Sequence, residues 1–209
     1  MILGVGIFVP AWTLRYWQAW VFIAVYLGCT ALITLYLWRN DRGLLERRLS
    51  AGPTAEKRVA QQVIMWFASL GFIALVALSA LDHRLGWTQV PFGVVLLGDI
   101  LIVVGFSLEF LVFRANSFSS ATVEVAKEQR VVSTGPYAIV RHPMYAGGLL
   151  LLLGTPLALG SYWGLVALAA MLPVFLWRIF DEEKFLAKSL PGYREYRTKV
   201  RFRLIPGVF

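Results

Sequence analysis

Tyr137, Arg141, His142 and Tyr145 bring two aromatic hydroxyls, a permanent cation and an imidazole into one short stretch of chain. They belong to the segment Gln129 to Gly148, where polar and cyclic residues crowd the edge of an apolar run that carries no charge from Pro143 until Arg178. Gly135-Pro136 is a turn signal, and Pro143 biases His142 away from the α region, so the chain bends twice around this cluster. A regular helix is expected to start at Pro143 with His142 near its N-cap, and its first amides favour a bound anion such as a carboxylate. Further on stand Arg178 and the run Asp181-Glu182-Glu183. Three adjacent carboxylates repel one another, which nearby cations would relieve. Arg178 and Glu182 are spaced i and i+4 on one helix face, where they can pair with each other or bracket a ligand carrying both charges.

The elements that must position these groups are membrane spans. The chain has 209 residues, 58% of them hydrophobic and 15% charged, with a mean hydropathy of +0.67. Those values lie outside the range of a soluble domain. Fourteen Phe, eight Trp and eight Tyr suit two aromatic interfacial belts. The single cysteine, Cys29, lies in an apolar run, which excludes a disulfide or a cysteine zinc site within one chain and reads as packing. The net charge of +8 is grouped by loop, a pattern of topology and anionic-lipid contact rather than of a nucleic-acid-binding face.

The expected fold is all-α integral membrane, with about five transmembrane helices, a C-terminal helical hairpin and a cytoplasmic cofactor pocket. Residues 1–14 are apolar and interrupted by Pro10, an interfacial segment or an early part of the first span. Spans are expected near 16–38, 61–81, 91–113, 144–159 and 162–177, the last two joined by a tight turn at Gly160-Ser161. Residues 1–113 form an N-terminal membrane region of three spans, and residues 114–209 a C-terminal region with a polar loop, the hairpin and a basic tail. Of the twenty Lys and Arg, the loop 39–60, the loop 114–141 (which includes Lys127) and the tail from Arg178 hold six, four and eight, leaving Arg15 and Arg84 opposite. The positive-inside rule then puts the N-terminus outside and the C-terminus and cluster in the cytoplasm, the topology of a prokaryotic inner-membrane protein. The hairpin returns Arg178 and the three carboxylates to the face that holds Arg141 and His142.

Asp99 and Glu109 fall inside the third expected span, where a carboxylate is costly and usually faces the protein interior. Glu109 is expected to reach the headgroups or pair with Arg114, and Asp99 to be paired or protonated. Tyr193, Tyr196 and the basic stretch 201–206 read as interfacial, lipid-facing anchors.

Taken together, Gly135-Pro136-Tyr137, Arg141-His142-Pro143-Met144-Tyr145, Gly147, a hydrophobic hairpin, Arg178 with Glu182-Glu183, then Gly192-Tyr193 and Tyr196 resemble the isoprenylcysteine carboxyl methyltransferases and their prokaryotic relatives. Phospholipid N-methyltransferases share the general plan. The resemblance is specific over about 129–206, while the first three spans match only in hydrophobic pattern.

The resemblance implies methyl transfer from S-adenosylmethionine, with S-adenosylhomocysteine as product, at the cytoplasmic membrane face. By motif position, Gln129, Arg130, Val131, Val132, Tyr137, His142, Pro143, Met144, Tyr145 and Glu182 would contact the cofactor, and Arg178 would lie at the substrate. The acceptor would be a lipophilic small molecule or lipidated substrate entering from the bilayer. A carboxylate acceptor is already ionised and needs only orientation, by Arg178; an amine must lose a proton, to His142, Glu183 or Glu109. Three other readings compete: a phospholipid amine N-methyltransferase, an NADPH-dependent membrane reductase of the sterol-reductase type, and a non-enzymatic transporter or scaffold. Cofactor binding separates the enzyme classes, and a transporter would line a path through the bilayer rather than gather its polar groups on one face. No metal site, nucleic-acid partner or oligomeric state is read from the sequence.

Overall fold

A computed structural model describes residues 2–125 and 129–209; Lys127 therefore lies outside the described residues. Among these, all regular structure is helical: α1 Ile2–Ala11, α2 Trp17–Asn40, α3 Arg42–Leu49, α4 Val59–Leu85, α5 Phe92–Ala115, a 3₁₀ turn at Gly135–Ala138, α6 Pro143–Ala158, α7 Trp163–Ser189 and α8 Tyr193–Lys199. Helices α2, α4, α5 and α7 are long and apolar enough to cross a membrane, and the chain is an integral multi-pass membrane protein. Exposed Leu27, Leu32, Leu70, Ile73 and Val166 fit surfaces that face lipid rather than water.

Two boundaries differ from the sequence expectation. The fourth expected span is α6, whose 16 residues rise only about 24 Å, short of the roughly 30 Å hydrocarbon core. The fifth does not stop at Trp177, because α7 continues unbroken for 27 residues, about 40 Å. Arg178, Asp181, Glu182 and Glu183 therefore belong to the same helix as the apolar segment. Residues 2–11 do form a helix, one too short to cross alone.

The chain divides into two compact units, each assembled from three stretches. The first is Met1–Leu32, Phe67–Phe106 and Gly148–Leu172. Its helices approach at small residues: a Cβ on Gly98 of α5 would lie 2.2 Å from the Ala158 nitrogen of α6, so only glycine permits this backbone contact. At one end the buried Asp82 carboxylate accepts from the Thr88 amide at 2.8 Å, the Thr88 hydroxyl at 2.6 Å and the Ser161 hydroxyl at 2.6 Å. Beside it Tyr16 stacks on His83 at 3.7 Å and donates to the Leu159 carbonyl. The expected turn between α6 and α7 is present, with Gly160 at φ +68°, a left-handed conformation that glycine adopts without penalty. Asp99 is buried, and its Oδ1 has no hydrogen-bond partner among the described residues.

The second unit, Ile33–Trp66, Ser107–Gly147 and Pro173–Phe209, holds the polar cluster. One apolar core joins Leu37, Leu44, Val112 and Phe113, with Tyr137 and Met144 packed on it. A second joins Leu190, Tyr193, Tyr196 and Val200, with Val125 and Val131 against it. Tyr193 and Tyr196 are therefore core residues, not the interfacial anchors expected, because the tail folds back. Its backbone pairs with the cluster, the Arg141 amide donating to the Phe202 carbonyl and the His142 amide to that of Arg203, each at 2.9 Å. Arg203 is likewise not a lipid-facing end: its guanidinium lies between the Phe180 and Phe209 rings, at 5.2 and 5.0 Å.

Candidate active site

The bend at Gly135, φ +57°, opens the 3₁₀ turn that presents Tyr137. The Tyr137 hydroxyl meets the Asn116 side-chain nitrogen and the Ser119 hydroxyl, each at 3.1 Å, and burial raises its pKa above the ordinary tyrosine value. The Tyr196 hydroxyl donates to the Tyr137 carbonyl at 2.7 Å, which ties this turn to the tail. Pro143 opens α6 as its first residue, and the His142 carbonyl accepts the first helical bond from the Ala146 amide at 3.1 Å. At such a helix start the amides of Met144 and Tyr145 have no intrahelical partner.

Two polar networks converge there from α7. In the first, the Tyr145 hydroxyl donates to Glu182 Oε2 and accepts from Arg178 Nε at 2.9 Å. Arg178 and Glu182 are thus joined through Tyr145 rather than paired directly. Arg178 is otherwise occupied: Nη1 donates to Gln61 Oε1 at 2.7 Å, and Nη2 donates to the Ala121 carbonyl at 3.1 Å and lies 2.9 Å from Glu56 Oε1. The Glu56 contact is an ion pair by distance, but its geometry does not satisfy a hydrogen bond at Oε1. The other Glu56 oxygen accepts from the Val123 amide at 3.1 Å. Gln61 also donates to Asp181, which Arg58 holds at 2.7 Å. Every nitrogen of Arg178 is committed to protein, so as placed here it fixes Tyr145.

In the second network, Glu183 is buried and Oε1 accepts from Arg141 Nε at 2.7 Å, with His142 Nε2 at 3.4 Å. Oε2 accepts from Arg203 Nε at 3.1 Å. Arg141 Nη1 donates in addition to the Val200 and Arg201 carbonyls at 3.1 and 3.0 Å. A buried carboxylate and guanidinium compensate each other only when their remaining groups are bonded, and here Arg141 Nη1 and both Glu183 oxygens are.

The structure therefore gathers Tyr137, Arg141, His142, Pro143, Met144, Tyr145, Arg178, Glu182 and Glu183 within one unit. Val131 joins them through the tyrosine core, and Gln129 and Val132 are half-buried, whereas Arg130 is exposed. Glu109 does not pair with Arg114, whose guanidinium lies over Phe110 at 5.9 Å; its electrostatic partner is Arg48. Sequence reasoning missed Arg48, Glu56, Arg58 and Gln61, which it took as loop charges or the edge of a span. The one available signal was Glu56, a carboxylate in a loop otherwise rich in Arg and Lys.

Glu182 fits the ammonium of an amino-acid-bearing cofactor: it is half-buried, and Oε1 has no hydrogen-bond partner among the described residues. The neighbouring start of α6 fits a carboxylate, and the ring faces of Tyr137 and Tyr145 fit a flat or cationic group.

Part of the chain is similar to known methyltransferases. Residues 94–191 match the family model of the phospholipid methyltransferases, just under half of the chain. A protein-S-isoprenylcysteine O-methyltransferase of Schizosaccharomyces pombe is 37% identical over 76 residues, 35% of this chain and 32% of the relative. The chain thus matches about a third of that relative's length. The resemblance read from the motifs holds over this part of the chain.

Proposed function

We propose that the chain is an S-adenosylmethionine-dependent methyltransferase acting at the membrane face on a lipophilic acceptor, the carboxylate of an isoprenylcysteine-like molecule or another lipid. The observation that carries the proposal is Glu182, a half-buried carboxylate with one uncommitted oxygen, held by Tyr145 at the start of α6 within the stretch that matches a methyltransferase family. The positive-inside rule supports a cytoplasmic placement of this unit, with the N-terminus outside.

When bound, the cofactor supplies an activated methyl group on a sulfonium. Glu182 would hold its ammonium, the amides of Met144 and Tyr145 its carboxylate, and Tyr137 and Tyr145 would pack on the adenosine or sulfonium. Displacement at a methyl group needs alignment and exclusion of water more than acid–base chemistry. Arg178 contributes by fixing the Tyr145 hydroxyl, and the Glu183 network by fixing the backbone on either side of His142.

The test is calorimetric titration of the detergent-purified chain with S-adenosylhomocysteine, beside Glu182→Ala. Binding by the wild type that disappears in the variant is expected. No binding by folded wild-type protein, in lipid as well as detergent, overturns the proposal.

A further inference from the structure

Two charged side chains of the second unit, Arg48 and Glu109, are not consumed by the Tyr145 network. Arg48, in the last turn of α3, holds its guanidinium over the Phe113 ring at 5.0 Å. Its Nη1 reaches the Met144 thioether at 3.3 Å and the Ser120 carbonyl at 3.4 Å. A thioether is a weak acceptor and 3.4 Å is long for an N–H···O bond, so this half-buried cation keeps donors to give. Burial lowers its pKa, and the Glu109 carboxylate is the foremost opposing influence.

Glu109 stands one helical turn before Phe113 on the same face of α5, further into the apolar segment. It is half-buried, and its carboxylate has no hydrogen bond or ion-pair contact among the described residues. Phe113 thus carries the Arg48 guanidinium on its ring one turn from a carboxylate inside a membrane-spanning helix, and a carboxylate so placed is costly and marks a functional site. Arg178, by contrast, has each nitrogen engaged. Of the two guanidiniums near Tyr145, Arg48 is the one with capacity for a ligand.

We propose that Arg48 and Glu109 form the headgroup subsite of the acceptor, Arg48 taking a phosphate or carboxylate and Glu109 an ammonium of the same headgroup. The fitted substrate class is a zwitterionic amphiphile. Its role as acceptor rests on the methyltransferase reading; its binding does not. Guanidinium matches phosphate and carboxylate alike through paired N–H groups, so an aminophospholipid and a prenylated amino acid share the required chemistry.

The test titrates the detergent-purified full chain with short-chain phosphatidylethanolamine, S-farnesylcysteine and, as an anion without an amine, short-chain phosphatidylglycerol. Arg48→Gln is expected to weaken all three by about tenfold or more, and Glu109→Gln to weaken only the two zwitterions by a similar factor. Whichever zwitterion binds the wild type more tightly identifies the source. Arg48→Lys keeps the charge and is expected to hold binding within about fivefold. If Arg48→Gln does not fold, the isosteric Glu109→Gln decides alone. Zwitterion binding that is absent from the wild type, or within about twofold of wild type in Glu109→Gln, overturns the subsite. S-adenosylhomocysteine titration of the wild type keeps the two readings apart: its failure with zwitterion binding intact sinks the methyltransferase reading alone, and the reverse sinks the subsite alone.

Discussion

The Tyr145 hydroxyl donates to Glu182 and accepts from Arg178 at 2.9 Å, so one phenol orients a carboxylate on the next helix while a guanidinium holds the phenol. Removing the hydroxyl in Tyr145→Phe leaves the Glu182 carboxylate free to rotate and Arg178 Nε without its acceptor. S-adenosylhomocysteine affinity is expected to fall about tenfold, the worth of one charge-assisted hydrogen bond, with the melting temperature nearly kept. Calorimetry on the variant checks it. Unchanged affinity would mean that Tyr145 does not orient the cofactor site.

Glu183 is where a general base and a structural anchor make opposite predictions. Its two oxygens receive Arg141, His142 and Arg203, and Arg141 is itself buried. Glu183→Ala strands that guanidinium, a loss of about 3–5 kcal/mol, and frees the tail to be clipped by protease. Glu183→Gln in a background that also carries Arg141→Met is expected to recover part of the stability. A Glu183→Ala protein that melts like the wild type, with the tail still protected, would rule out the anchoring role.

What the sequence disclosed follows from the range of the interactions involved. The bends at Gly135 and Pro143 and the turn at Gly160 are local consequences of residue type, and they stand where expected. The gathering of His142 with Glu182 and Glu183 followed from hairpin topology. Glu56 and Arg48 were not legible, because nothing within their own loop says that one will meet Arg178 and the other Met144. Tyr196 misled for the same reason: an aromatic in a basic tail looks interfacial until the tail folds back and its hydroxyl finds the Tyr137 carbonyl. The apolar run marked the span only to Trp177, whereas α7 itself continues through Ser189 because Lys, Glu and Leu beyond it are good helix formers.

Tyr193 and Tyr196 are adjacent, buried and different in one respect. The Tyr196 hydroxyl is bonded to the Tyr137 carbonyl, and that of Tyr193 has no hydrogen-bond partner among the described residues. Tyr196→Phe should cost about 1 kcal/mol, and Tyr193→Phe nothing or less. Burial raises both pKa values above the ordinary 10.0. Their contribution is therefore complete below pH 10 and is lost as the pH rises beyond it, where the unfolded chain ionises and the folded chain resists. The melting temperature should fall above pH 10, less steeply in Tyr193→Phe. Equal slopes in the two proteins would show that Tyr193 does not contribute.

Gly98 tests the packing of the first unit against a control on its own helix. A Cβ there would stand 2.2 Å from the Ala158 nitrogen and 2.7 Å from the Leu157 carbonyl carbon, whereas one on Gly93 meets nothing within 4 Å. Backbone cannot turn aside as a flexible side chain can, so Gly98→Ala must push α5 and α6 apart. The expected cost is about 1–3 kcal/mol, while Gly93→Ala, which only trades a weak helix former for a strong one, should be neutral or stabilising by up to about 1 kcal/mol. Thermal unfolding of the two variants in one detergent compares them directly. If Gly98→Ala melts at or above the temperature of Gly93→Ala, the close approach of the two helices is wrong.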